Sequence, residues 1–166
     1  TKGKNMPKTK ITRTTAASPD VAAAAAQFLS PIVLDLMALT VNGKQAHWHV
    51  RGANFIGVHE LFDAVVANAQ AFADLAAERI VALGLPVDAR LESVAAKTQA
   101  SSVPAGFAKS EVLVADVIAD MDAAIANVQA AIDGLGEIDQ TSQDVAVEIM
   151  RGLEKDRWFL FSHIAE

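Results

Sequence analysis

The chain has 166 residues, 52% of them hydrophobic, with no cysteine and a formal net charge of −6. That length suits one domain whose core needs no covalent staple, and the lack of cysteine excludes disulfides and thiolate-held metals. Any metal must be held by nitrogen and oxygen, and an Ala- and Leu-rich composition favours helix over strand.

Residues 1–17, "TKGKNMPKTKITRTTAA", have no apolar periodicity and read as a flexible arm. Lys2, Lys4, Lys8, Lys10 and Arg13 give it a charge of +5 with no acid. The rest of the chain then holds nine basic against twenty acidic residues, a net of −11. Arm and body therefore suit different partners.

Residues 18–166 read as one helical domain. Ser18-Pro19-Asp20 is a helix start: a capping hydroxyl, proline at the first helical position, and an acid at the positive end of the dipole. The first helix runs to about Trp48, with a bend expected at Pro31. Its most apolar part, Val21 to Val41, is interrupted by Gln27, Pro31 and Asp35, so no membrane span is expected. The "VAAAAAQFL" run lacks a small-residue cleavage site, so export is not expected and the cytoplasm is the default location.

"RGAN" ends the first helix, and a second runs from about Phe55 to Leu83, closed by "GLP". Residues 86–106 form a long connection with a short helix around "RLESVAAKT". A third helix covers roughly 108–133, with Ile118, Met121, Ile125, Val128 and Ile132 as its buried stripe and Gly134 and Gly136 ending it. Asp116 and Asp120 fall opposite that stripe. Thr141 with Asp144 resembles a capping box for a fourth helix over 142–164. Together these describe an all-α, four-helix bundle with a crossover carrying a short helix.

The chemistry concentrates in residues 44–63, "KQAHWHVRGANFIGVHELFD", which hold three of the four histidines. His59 and Asp63 are four apart on the second helix and share a face, and Asp74 and Glu78 repeat the spacing. Eleven residues separate Asp63 from Asp74, so the pairs lie on nearly one face but ~16 Å apart. One ion cannot touch both. Two such helices packed antiparallel across a two-fold axis would bring each pair against the other chain's complementary pair, with His47 completing the set. Two imidazoles and three carboxylates suit Fe(II), Mn or Zn. By spacing alone, a solvated acidic face explains the pattern equally well. Trp48, beside His47, is either a core residue or a redox partner.

These residues, with "DLAAERIVALG" and "EKDRWFL", resemble the Dps family, the mini-ferritins of the ferritin-like superfamily. The resemblance covers most of residues 20–166. It implies a ferritin-like bundle assembling into a hollow dodecamer. It also implies a ferroxidase site holding two irons at the dimer interface, with His47, His59 and Asp63 from one subunit and Asp74 and Glu78 from the other. Fe(II) would be oxidised, preferably by hydrogen peroxide rather than oxygen, and stored as ferric mineral. Trp48 would take part in the one-electron chemistry, and Asp116 and Asp120 are candidates for an acidic iron entrance. His49 has no implied role and reads as a surface residue. Non-specific DNA binding would fall to Lys2, Lys4, Lys8, Lys10 and Arg13. Two alternatives remain open on these residues: a metal-dependent hydrolase using the same His/carboxylate set, and a purely architectural nucleoid protein.

Overall fold

The computed structural model describes residues 17–101 and 103–166. Residues 1–16 of the basic arm, with all five of its candidate DNA contacts, lie outside the described residues. Chain order is α1 (Pro19–His49), β1 (Val50–Arg51), α2 (Phe55–Ala82), α3 (Leu91–Lys97), β2 (Ala108–Lys109), α4 (Ser110–Leu135) and α5 (Gln140–Phe161). The four-helix bundle and the short crossover helix are those expected, with two-residue strands added.

The start of α1 follows its sequence signals: the Ser18 hydroxyl accepts from Val21 N at 3.3 Å, and proline occupies the first turn. The helix runs on through Pro31, with the Ser30 hydroxyl donating to Ala26 O at 2.6 Å. By length and composition alone α1 is long and apolar enough to cross a membrane, in spite of Gln27, Pro31 and Asp35. Half of its most apolar stretch is nevertheless buried inside the bundle, against α2 and α4. The α1–α2 turn needs left-handed backbone, supplied by Gly52 (φ 102°) and Asn54 (φ 55°).

β1 and β2 pair in parallel, Val50 with Ala108 and Arg51 with Lys109. This pairing puts the end of α1 beside the start of α4. Because α2 runs back from that end, the chain between α2 and α4 has to return along the bundle. The crossover is held down by polar contacts. Buried Asp35 accepts from Thr98 Oγ1 (2.7 Å), Gln99 N (2.8 Å) and Asn127 Nδ2 (2.7 Å). Asp120 accepts from Ser101 N (2.7 Å), Ser101 Oγ (2.8 Å) and Asn42 Nδ2 (2.6 Å).

That last contact corrects the sequence reading of α4. Asp120 is 0% exposed, not on a solvated face, and Asp116 is half-buried. The buried arc runs through Val117, Met121, Ala124, Val128 and Ala131. It is rotated about 60° from the isoleucine stripe, at 100° per residue. Small alanines face the tight centre and the larger Ile125 and Ile132 fill its edges. Gly134 does not end α4 either: the helix continues to Leu135, and a Cβ at 134 would overlap the Phe28 ring. α5 starts from Asp139, not Thr141, and its carboxylate accepts from the Ser142 hydroxyl at 2.5 Å.

Replacing Asp35 with alanine leaves three donors facing a void, and a loss of about 2–3 kcal/mol in unfolding free energy is expected. Denaturant titration of wild type and Asp35→Ala measures it. An unchanged midpoint would mean that the crossover is held by other contacts.

Candidate metal centre

α1 and α2 lie antiparallel, and the turn after α1 brings His47 against His59. Their rings stack with centroids 3.7 Å apart and planes 20° from parallel. Each imidazole is fixed by the other residue's backbone: His47 Nδ1 to His59 O at 2.7 Å, and His59 Nδ1 to His47 O at 2.8 Å. A carbonyl oxygen can only accept, so each Nδ1 carries its proton and donates. In the neutral ring, each Nε2 then keeps a lone pair free for a metal. Orientation of a ligating imidazole by a backbone carbonyl on its far nitrogen is the usual support of a metal site.

Asp63 lies one turn beyond His59 on α2 and is exposed. The Lys44 ammonium is bonded to it and, with the two imidazoles adding to the effect, holds its carboxyl below the usual range. Lys44 escaped the sequence reading, although it sits three residues before His47 and so on the same face of α1.

Further along α2, Asp74 and Glu78 are both exposed, on the side where Ala64, Ala67 and Ala71 also face outward. Those small side chains let a second backbone approach closely. Arg79 points elsewhere and ties α2 to the start of α5, donating to Ser142 Oγ at 2.9 Å and to Asp139 at 2.8 Å. Among the described residues, no three His, Asp or Glu side chains of one chain are grouped to hold a metal. His47 and His59 stack at one end of α2, Asp63 lies one turn further on beside Lys44, and Asp74 and Glu78 stay apart from them.

Trp48 is 63% exposed, so it is not a core residue of the single chain. His49 points away from the imidazole pair. Its Nδ1 bonds Gln45 O at 2.8 Å, and its ring is tilted 5.4 Å from Phe107. Asp120 cannot line an acidic entrance, since both its oxygens are engaged inside the bundle and burial pushes its carboxyl up.

The reciprocal imidazole–carbonyl bonds carry a spectroscopic expectation for the metal-free protein. Nitrogen-15 spectra at mildly alkaline pH should show His47 and His59 protonated at Nδ1, with Zn(II) shifting the Nε2 resonances. Protonation at Nε2 in both rings would remove them as ligands in this geometry.

A ferritin-like domain profile matches residues 27–166. The DNA protection during starvation protein of Agrobacterium fabrum is 35% identical over 136 residues, spanning 81% of this chain and 82% of the relative. The protein of the same name from Mycolicibacterium smegmatis is 32% identical over 128 residues, 73% of this chain and 66% of its own. Among solved structures, Dps from Microbacterium arborescens in its high iron form superposes with a TM-score of 0.88 at 63% identity, covering 90% of this chain and 98% of that one. Bundle, crossover and sequence likeness agree, and the chain belongs to the Dps family of ferritin-like proteins.

Proposed function

We propose that this protein is an iron-oxidising, iron-storing mini-ferritin whose reactive site is shared between two copies of the chain. The observation that carries the reading is the division of ligands on α2. His59 and Asp63, with His47 beside them, face outward at one end, and Asp74 and Glu78 face outward ~16 Å away. A two-fold antiparallel pairing of α2 helices joins each half-set to its complement and builds two equivalent sites. The alanine face between the pairs supports such close packing. A 63% identical neighbour in a high iron form agrees with iron as the cargo.

The donor set of two imidazoles and three carboxylates suits a pair of iron substrate ions, with carboxylates spanning the two. Each Fe(II) gives up one electron, and hydrogen peroxide takes both. Its O–O bond breaks to leave two hydroxides, with no radical released. Dioxygen is the slower alternative oxidant. The carboxylates offset the charge gained by the metal, while the Nδ1-anchored imidazoles hold their geometry. Trp48, next to His47 and exposed in the single chain, would supply an electron when only one iron is present. Twelve copies enclosing a cavity would keep the ferric product as mineral, in the cytoplasm. The arm residues Lys2, Lys4, Lys8, Lys10 and Arg13 would neutralise DNA phosphates without reading sequence. Twelve such arms act together. The iron entrance is not assigned to Asp120.

Two experiments test this reading. His59→Ala and Glu78→Ala should each abolish peroxide-driven Fe(II) oxidation. Co-assembled, they should recover about a quarter of the wild-type rate, since random mixing makes half the dimers mixed and each mixed dimer keeps one intact site. Trp48 fluorescence reports iron arrival in the same samples. No recovery in verified mixed assemblies would place all ligands in one chain. Deleting residues 1–13 should weaken DNA binding and flatten its salt dependence while iron oxidation stays unchanged. DNA retention at full strength would move the contact to the body.

A further inference from the structure

We propose that Asp156 and Asn68 form a proton-controlled clasp between α5 and α2, closed while the Asp156 carboxyl carries a proton and loosened when it ionises. The seam between these two helices, which run in opposite directions, has its fastenings in register. Near the start of α5, Arg79 of α2 donates to Ser142 Oγ and to Asp139. Further along, Gly152 leaves room for the Phe72 ring, which a Cβ there would overlap. One turn beyond on both helices, Asn68 Nδ2 donates to both Asp156 oxygens at 3.0 Å.

Asp156 is the least supported of the buried aspartates. Asp35 and Asp120 each accept from three donors. Asp156 is 5% exposed, and a single amide nitrogen serves both its oxygens. Among the described residues it joins no ion pair. Lys155, its neighbour on α5, is the charged side chain that acts on it. α2 offers the Asn68 amide, and α4 offers no charge, its Asp122 being bonded to Arg157. A buried carboxyl so placed favours its neutral form. Burial accordingly pushes it up, against the lowering by Asn68 and Lys155. The neutral acid also suits its partner better. Its O–H can donate to the Asn68 carbonyl while the Asn68 N–H donates to the other acid oxygen. Ionised, Asp156 keeps only the accepting half.

The two ends of the seam therefore respond to pH in opposite senses. At the start of α5, burial opposes ionisation of Asp139, but Ser142 and Arg79 hold its carboxyl below the usual value. That end is firm above the ordinary carboxylate value of about 4 and weakens as pH falls below it. Asp156 is raised in the folded chain, so its contribution is fullest below about 4 and is lost as pH rises through its own higher value. Raising the pH loosens the far end of α5 alone. In the proposed iron reading, ferric ions hydrolysing to an oxyhydroxide release protons from water, which keeps the clasp closed during loading. The clasp itself does not rest on that reading.

The test uses the full-length assembled protein without metal, so its outcome is independent of the iron assignment. Amide hydrogen exchange, read by mass spectrometry, compares wild type with Asp156→Asn at matched pH, which cancels the intrinsic exchange rate. The two should differ least at about pH 4. As pH rises, the last turns of α5 and the facing part of α2 should open more in wild type than in the variant. The ratio should grow by up to about tenfold per pH unit, the slope of one proton, and then level off. The start of α5 should exchange alike in both. Infrared spectra of wild type should show a protonated carboxyl at a pH where exposed carboxylates are ionised, and the variant should lose that band. Asp156→Leu replaces the Asn variant if that one fails to assemble. An exchange ratio that stays constant with pH, or a carboxyl band that survives loss of Asp156 undiminished, overturns the clasp.

Discussion

A helix is too stiff to fold its own ligand pairs together, and that constraint organises the molecule. α2 spans 28 residues, and the ~16 Å between its two pairs is set by helical rise alone. The proposed chemistry on this face therefore draws on a second chain. The rest of the bundle leaves the face free: α1 and α5 pack on the other sides of α2, and the crossover is fastened to α1 and α4. α3 rests on α1 through Val94 against Leu34 and Ala38.

The core that supports this arrangement is rich in alanine and so offers modest shape specificity. Three buried aspartates supply register. Asp35 of α1 meets Asn127 of α4, Asp120 of α4 meets Asn42 of α1, and Asp156 of α5 meets Asn68 of α2 at 3.0 Å from both oxygens. Each carboxylate faces an amide rather than a cation. A neutral donor satisfies the buried oxygens but does less than a guanidinium to offset desolvation, and burial accordingly pushes Asp120 and Asp156 up. Sliding any of these helices by one residue would strand a charge in the core. Close approach is secured the same way at Gly43, where a Cβ would come within 2.6 Å of Val66.

At the candidate metal centre the same economy of parts recurs. Two backbone carbonyls orient two imidazoles, and no further side chain is needed to select their tautomer. The reciprocity ties the ends of α1 and α2 together, so the ligands are fixed by the turn that joins them. Gly52 and Asn54, in left-handed backbone, make that turn tight enough.

The four long helices, the crossover helix and the proposed ligands were legible from sequence, because period, caps and His/carboxylate spacing are local signals carried by single helices. The ~16 Å argument for a shared site is equally local. What only the tertiary structure decided involves residues whose environment comes from another helix. Asp120 reads as a surface acid until Ser101 and Asn42 close over it. Gly134 reads as a helix end until Phe28 fills its place, and Lys44 carries no reading at all until α2 brings Asp63 within its reach. A side chain's neighbours along its own helix follow from 100° per residue. Its neighbours across the bundle depend on how the helices pack.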